Sequence, residues 1–147
     1  NNINNDTTNE ASSKSGGNAT AKYISKPISL ADGFDASNMC VTVDINLPSG
    51  TSVYVYYKTL PTEKTTPIDD ESWVVMTQEK AVPVSTSAFD FKEYRFFPAG
   101  AFDVYGVPAD GPITTRFNAF QIKIVMLSSS QTATPRLRDL RIIALDS

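Results

Sequence analysis

The sequence predicts an all-β protein, an antiparallel two-sheet β-sandwich of about seven to eight strands with jelly-roll or immunoglobulin-like topology. Apolar and polar side chains alternate with period two from Lys22 onward, which is the pattern of half-buried strands. No apolar repeat of three to four residues lasts for three helical turns, and the nine prolines fall mostly between the alternating runs or at their ends. The chain closes on two such runs within 119–147, which we expect to form an antiparallel pair that completes the sandwich.

The first 20 residues differ in composition from the rest of the 147-residue chain. They are rich in Asn, Ser, Thr and Gly, and Ile3 is their only sizeable apolar side chain. Such a segment cannot bury enough surface to offset the entropy of ordering it. We therefore expect residues 1–20 to be a flexible arm or linker, ordered by a partner chain if at all, and residues 21–147 to form the sandwich domain. The chain begins at Asn1 rather than Met, so we expect it to be a trimmed form or the ordered end of a longer polypeptide, in preference to a processed product.

Alternating runs separated by turn residues mark the expected strands. We expect them at Lys22–Leu30, Met39–Leu47, Ser52–Leu60, Trp73–Met76, Phe89–Phe97, Phe117–Leu127 and Leu137–Leu145. The acidic segment before the fourth strand suits a short turn of helix at Asp69–Ser72, capped by one of its aspartates. No other helix is predicted.

The second and third of these runs have the pattern of a long hairpin. Pro48, Ser49 and Gly50 separate them, and a Pro–Gly pairing suits a tight turn because Pro fixes φ and Gly accepts a positive φ. In the third run, three side chains face one way (Val53, Val55, Tyr57) and three face the other (Tyr54, Tyr56, Lys58).

In the last run, simple alternation places Leu140, Ile142 and Ala144 against the core. It also sends Arg138 and Arg141 to opposite faces, so that the arginines form no single basic patch. We expect Asp139 and Arg141 to fix the register of this strand.

Composition excludes several classes of function. The net charge is −3 and the pI is near 4.8, so the chain lacks the basic surface of a nucleic-acid-binding protein. It contains no histidine, which removes His-based nucleophilic catalysis and His-based metal sites, and it has no glycine-rich phosphate loop. Its one cysteine, Cys40, lies in an apolar strand pattern and is expected to be a buried structural thiol. No apolar run is long enough to span a bilayer. We therefore predict no enzyme activity, no cofactor and no bound metal.

Two acidic segments contain carboxylates that could bind calcium, 32–35 (DGFD) and 69–71 (DDE). Calcium needs six to eight oxygen ligands, and neither segment has the spacing of a known calcium loop. Asp-Gly also suits a turn with positive φ, and an acidic run suits the start of a helical turn. Turn chemistry is therefore the favoured interpretation of both.

Aromatic side chains are the best candidates for a binding surface. The rings on the polar-looking face of the third strand, and those beside the loops, could stack on sugars or anchor a protein interface, although filling the second face of a sheet is the simpler explanation. The glycine-containing segment 98–112 is a long loop of the kind that often recognises a partner. The candidate interface residues are Tyr54, Tyr56, Trp73, Phe102 and Tyr105.

Four stretches carry a resemblance to a known family. They are YISKPISLADGFDASNMCVTVDINLPSGTSVYVYYKTLP, IDDESWVVM, FDFKEYRF and FNAFQIKIVMLSSSQTATPRLRDLRIIAL. Their order and content, across Tyr23 to Leu145, resemble the C-terminal β-sandwich domain of virion structural proteins of tailed bacteriophages. The resemblance implies a module that ends a longer baseplate, neck or tail protein and docks on neighbouring subunits.

Two functions are therefore expected to compete. The first is a non-enzymatic assembly module of a phage particle, made in the host cytoplasm and located in the virion, with other virion proteins as partners and several copies in a symmetric assembly. The second is a carbohydrate-binding or host-receptor-binding module that uses Tyr54, Tyr56 or the 98–112 loop. Neither involves a nucleic acid or a membrane.

Overall fold

A computed structural model of the chain is all-β, as the alternation predicts. It describes residues 21–31, 35–36, 38–61, 67–68, 71, 73–79, 82–87, 89–98, 116–128 and 135–145. Eight strands lie in these ranges: β1 (Ala21–Ile24), β2 (Ile28–Ser29), β3 (Asn38–Asn46), β4 (Thr51–Pro61), β5 (Val74–Gln78), β6 (Lys92–Pro98), β7 (Phe117–Ser128) and β8 (Arg136–Leu145). The expected arm at 1–20 lies outside the described residues.

The strands form one antiparallel sheet that curls into a half-barrel. Their order is β1-β7-β4-β5-β6-β3-β8, and β2 pairs with β7 beside β1. Short β5 joins the two halves of the sheet, because its beginning pairs with β4 (Tyr57↔Val74) and its end pairs with β6 (Met76↔Pro98). The first half is β1, β2, β7 and β4, and the second half is β6, β3 and β8. Strands that change partners in this way make the corners of curled sheets.

Both halves contribute to one apolar core on the inner side of the curl. Alternate residues of β3 and β4 point into it, for example Val43 and Val55, and both are fully buried. Ile122 and Ile124 of β7 and Phe96 of β6 complete its centre. The β4 face that carries Val53, Val55 and Tyr57 is therefore the core face.

The predicted hairpin of the second and third runs is wrong, since β3 pairs with β6 and β8 while β4 pairs with β5 and β7. The turn between them explains the difference. Thr51 N donates to the Pro48 carbonyl (3.1 Å), and Gly50, at the third turn position, has φ 83°. This is the pattern of a type II turn, whose twist splays flanking strands instead of pairing them. The chain therefore crosses from the second half to the first.

The two closing strands are likewise not partners. β7 lies between β1 and β4 in the first half, whereas β8 pairs with β3 at the edge of the second half. Their alternation was predicted correctly, but alternation does not say which strand is the neighbour.

A β-bulge in β8 overturns the predicted facing of its arginines. Thr42 pairs with Arg141 and Asp44 pairs with Arg138, so β8 has one more residue than β3 in this interval. The extra residue is Asp139, whose φ of 54° is left-handed. Because the bulge resets the alternation, Arg138 and Arg141 both lie on the outer face. Leu140, Ile142 and Ala144 pack against the core as predicted.

The predicted first strand is broken at Pro27 into β1 and β2, since proline cannot donate to the sheet. Ser25 ties the break to β7, because its N–H donates to the Ile122 carbonyl (2.9 Å) and its hydroxyl accepts from Ile122 N–H (3.0 Å). Of the predicted helical turn, Glu71 N–H donates to the Ile68 carbonyl (3.0 Å), and the rest lies outside the described residues.

Candidate functional site

The outer side of the first half carries most of the aromatic side chains that the sequence singles out. Cross-strand register places Tyr54 opposite Val125, Tyr56 opposite Lys123, and Lys58 opposite Gln121. Because directly paired residues share a face, these six side chains form one surface, which we call the aromatic face.

Trp73 packs on the aromatic face and meets two lysines there. The Lys58 ammonium lies 4.5 Å from the centre of the Trp73 ring, and that of Lys123 lies 5.1 Å from it and 5.4 Å from the Tyr56 ring. Trp73 is 2% exposed, Lys58 1% and Lys123 0%. The alternation alone would place both lysines in water.

Cation–π attraction accounts for part of this arrangement. A buried ammonium loses its hydration, and an indole face is the best aromatic partner that a protein offers it, worth about 2 kcal/mol or more where water is excluded. Tyr56 and Trp73 also pack with Val125, which is fully buried. The cluster therefore anchors the segment before β5 to the middle of the first half.

The aromatic face has an exposed margin. Tyr54 is 41% exposed, and Val75 of β5, which pairs with Tyr56, is 44% exposed. Both are held in register by strand pairing, so this margin is a fixed apolar surface beside a buried aromatic cluster.

The predicted candidates thus separate into three groups. Tyr56 and Trp73 come together with Val125 in a buried cluster, and Tyr54 lies at its exposed margin. Phe102 and Tyr105 lie outside the described residues, as does the loop at 99–112. A buried ring cannot stack on a ligand in solution, so Tyr54 is the described candidate that can contact a partner directly.

The acidic segments supply no metal centre among the described residues. No group of three Asp, Glu, His or Cys side chains is close enough there to hold an ion. Asp35 instead accepts a hydrogen bond from Arg116 Nε (2.6 Å), and Arg116 also donates to the Asp35 carbonyl (3.1 Å). Asp32 and the pair at 69–70 lie outside the described residues, and Cys40 is buried as predicted.

The outer side of the second half is charged, in contrast to the aromatic face. Its ion pairs include Arg138–Asp44 (3.7 Å), Arg141–Glu93 (3.3 Å) and Arg95–Glu79 (2.9 Å). All three are at least partly exposed, and exposed pairs contribute about 0–1 kcal/mol each. A shallow depression beside them is lined by Glu79, Val82, Glu93 and Arg95. The charged side chains of this side therefore face solvent, whereas others on it, such as Cys40 and Phe97, are buried.

The turn that leads into β6 carries a feature that sequence reasoning missed. Phe89, predicted to begin a strand, lies in that turn and is 90% exposed. Turn residues surround it (Ser85, Thr86, Ser87 and Asp90), and this local pattern was the signal that could have placed it outside the strand.

Comparison with protein-family models, with curated proteins and with solved structures finds no match for this chain. Within the described residues, no helix has the length and apolar character that a bilayer crossing needs.

Proposed function

We propose that the protein is a non-enzymatic assembly module of a tailed-phage particle, a component of its baseplate, neck or tail that docks on neighbouring virion subunits. The four resembling stretches support the family, and the exposed margin of the aromatic face supports docking. Tyr54 and Val75 hold apolar surface in water on a rigid sheet, at a cost that association with another protein would remove.

We further propose that the two halves act as the layers of a sandwich. Side chains of β4 and β7 from one half and of β3 and β6 from the other meet in a common core. The links from β3 to β4 and from β7 to β8 both pass between the halves, as connections in Greek-key sandwiches do.

The test starts from purified particles. An immunoblot with antibodies against this chain is expected to find it at a constant copy number per particle, and its absence from particles would refute the proposal.

A variant pair then tests the margin. Tyr54→Asp with Val75→Asp places charge on the proposed contact and should lower incorporation by about tenfold or more. Glu79→Gln on the charged face is the control and should leave incorporation unchanged. Equal incorporation of all forms would show that the margin is not a docking surface.

Binding of a carbohydrate or host receptor is the second candidate, and the exposed ring of Tyr54 is the observation that favours it. The geometry provides one ring where the sequence suggested two, since Tyr56 is buried. This function predicts saturable binding on a glycan array that Tyr54→Ala abolishes. Absence of binding to every glycan on the array would contradict this second function.

A further inference from the structure

We propose that Phe89 is a preorganised anchor that seats in an apolar pocket of a neighbouring protein chain. The inference rests on the proposed assembly function and names one surface that makes the contact and the chemistry of its partner. Four observations carry it: the exposure of the ring, the hydrogen bonds that hold its loop, the charge of the loop, and the chemistry of the depression beside β6.

Phe89 is far more exposed than the other large apolar side chains of the described residues. It is 90% exposed, and the remainder reach at most 53%. Val84, in the same loop, is half exposed and adds to the apolar surface there. A phenylalanine ring offers up to about 150–250 Å² to a partner, and such rings dominate the energetics of interfaces.

The loop around Phe89 is held from beneath by a buried side chain. Asn46 Nδ2, at the end of β3, donates to the carbonyl of Ser87 (2.7 Å) and to that of Asp90 (3.0 Å). These two carbonyls flank Phe89 on either side in sequence. One buried amide therefore fixes both ends of the turn that carries the ring.

Further bonds close the loop on itself and on the neighbouring turn. Ser85 and Leu47 exchange two bonds, from Ser85 N–H to the Leu47 carbonyl (2.8 Å) and from Leu47 N–H to Ser85 Oγ (2.9 Å). Asp90 accepts from Thr86 N–H (2.9 Å) and pairs with Lys92. The Lys92 ammonium, followed by the Thr86 N–H, lowers the pKa of the Asp90 carboxyl, so the carboxylate that accepts these bonds persists to a lower pH than a free aspartate would.

Preorganisation is what distinguishes an anchor from a stray exposed ring. A side chain on a mobile loop loses conformational entropy when it binds, and holding the loop beforehand removes most of that loss. Rigid aromatic side chains that fill a pocket are typical hot spots of protein interfaces.

Charge favours a protein pocket over a lipid surface. Residues 79–93 contain two lysines, Lys80 and Lys92, against three acids, Glu79, Asp90 and Glu93, and the whole chain carries −3. Lys92 is also paired with Asp90. Segments that insert at membrane surfaces usually carry an excess of basic residues that attract anionic lipids, and this segment has none.

Among the described residues, the depression beside β6 is a poor fit for the Phe89 ring of a second copy of this chain. The depression beside β6 is lined by Glu79, Glu93 and Arg95 together with Val82. A phenyl ring placed there would desolvate three charged side chains.

Particles assembled with variant chains test the inference. Phe89→Ser should lower the number of copies per particle by about tenfold or more, because a hot-spot ring is lost. Phe89→Leu should retain most of the incorporation. Ile143→Ser, which changes an exposed apolar residue of β8, is the matched control and should incorporate normally. The urea-unfolding midpoints of all three purified chains should equal that of the wild type, since neither side chain is buried.

Photo-crosslinking identifies the contact. With p-benzoylphenylalanine at position 89, irradiated particles should yield an adduct to one partner protein, at a peptide rich in apolar residues. The same photoreactive residue at position 86, on the polar side of the loop, should yield little.

The outcomes separate the two proposals. If the wild-type chain is absent from particles, the assembly function fails. If it is present and Phe89→Ser incorporates equally, the anchor alone fails. An adduct to another copy would overturn the anchor in favour of self-contact. Binding of the wild-type chain, but not of Phe89→Ser, to phosphatidylcholine–phosphatidylglycerol vesicles would overturn it in favour of a membrane.

Discussion

Tyr57 places a phenol in the apolar core, where it is 3% exposed. Burial raises the pKa of Tyr57 from its usual value near 10 to about 12, because the charged phenolate is poorly solvated there. The fold therefore favours the neutral phenol. The contribution of the neutral Tyr57 phenol to the unfolding free energy is fully present below about pH 10 and is lost as the pH rises toward 12.

Because of this shift, ionisation of the Tyr57 phenol should destabilise the fold in alkaline solution. A shift of two units corresponds to about 2–3 kcal/mol of unfolding free energy lost across the window. Tyr57→Phe should remove that part of the loss, so that the wild type and the variant diverge between pH 10 and 12. Urea unfolding at several pH values measures the difference. Because lysine titration is common to both chains, a constant difference across the window would show that Tyr57 ionises normally.

The side chains of the aromatic face show which features of a single residue can be predicted from the sequence. Alternation placed Tyr54, Tyr56 and Lys58 on one face correctly, because strand geometry is local. It could not indicate that Lys58 and Lys123 are buried, since that depends on Trp73 folding back from a different segment. Alternation therefore indicated which of the β4 side chains share a face, and it missed the burial of Lys58 and Lys123.

At the scale of the element, the bulge at Asp139 shifts the inward and outward alternation of β8 side chains by one residue. A left-handed φ costs roughly 1–2 kcal/mol for most residues and little for glycine, and aspartate and asparagine tolerate it better than others. The bulge places Arg138 beside Asp44 and leaves Leu140 facing the core.

Substitutions at position 139 should follow backbone preference. Asp139→Gly and Asp139→Asn are expected to change the unfolding free energy little, whereas Asp139→Val should lower it by about 1–2 kcal/mol because a β-branched side chain crowds a left-handed backbone. Urea unfolding of the three variants measures the ranking. If Asp139→Gly loses as much as Asp139→Val, the contact of Asp139 with Arg138 (3.9 Å) matters more than the backbone.

The positions of the strands were predicted better than the pairing between strands. Most strands lie within a few residues of their expected bounds, since alternation and turn residues are written locally. Pairing depends on contacts between distant segments, such as β1 with β7 and β3 with β8. The turn at Pro48–Gly50 is the local feature that argues against the predicted hairpin, because a type II turn splays the strands on either side of it.

At the scale of the whole molecule, the common core predicts cooperative unfolding. Neither half can bury its inner face without the other, so both should unfold together. Trp73 is the only tryptophan of the chain and reports on the first half, whereas far-ultraviolet circular dichroism reports on all strands.

A variant in the second half tests this coupling. Phe96→Ala in β6 removes a ring that is fully buried in the core and should lower the unfolding free energy by about 3–5 kcal/mol. The transition seen by Trp73 fluorescence in the first half should move by the same amount as the dichroism transition. If the fluorescence transition stays where it is in the wild type, the halves unfold separately.

The joining strand also has a mechanical consequence. β5 pairs with β4 at two positions and with β6 at three, whereas β4 and β7 pair at eleven. Tension applied across the sheet, from the β1 edge to the β8 edge, would load these few hydrogen bonds one after another. Tension along the strands would load the long β4–β7 ladder all at once. The molecule should therefore withstand a larger force along its strands than across them. Under force across the strands, the pairing of β5 with β4 and β6 should break first.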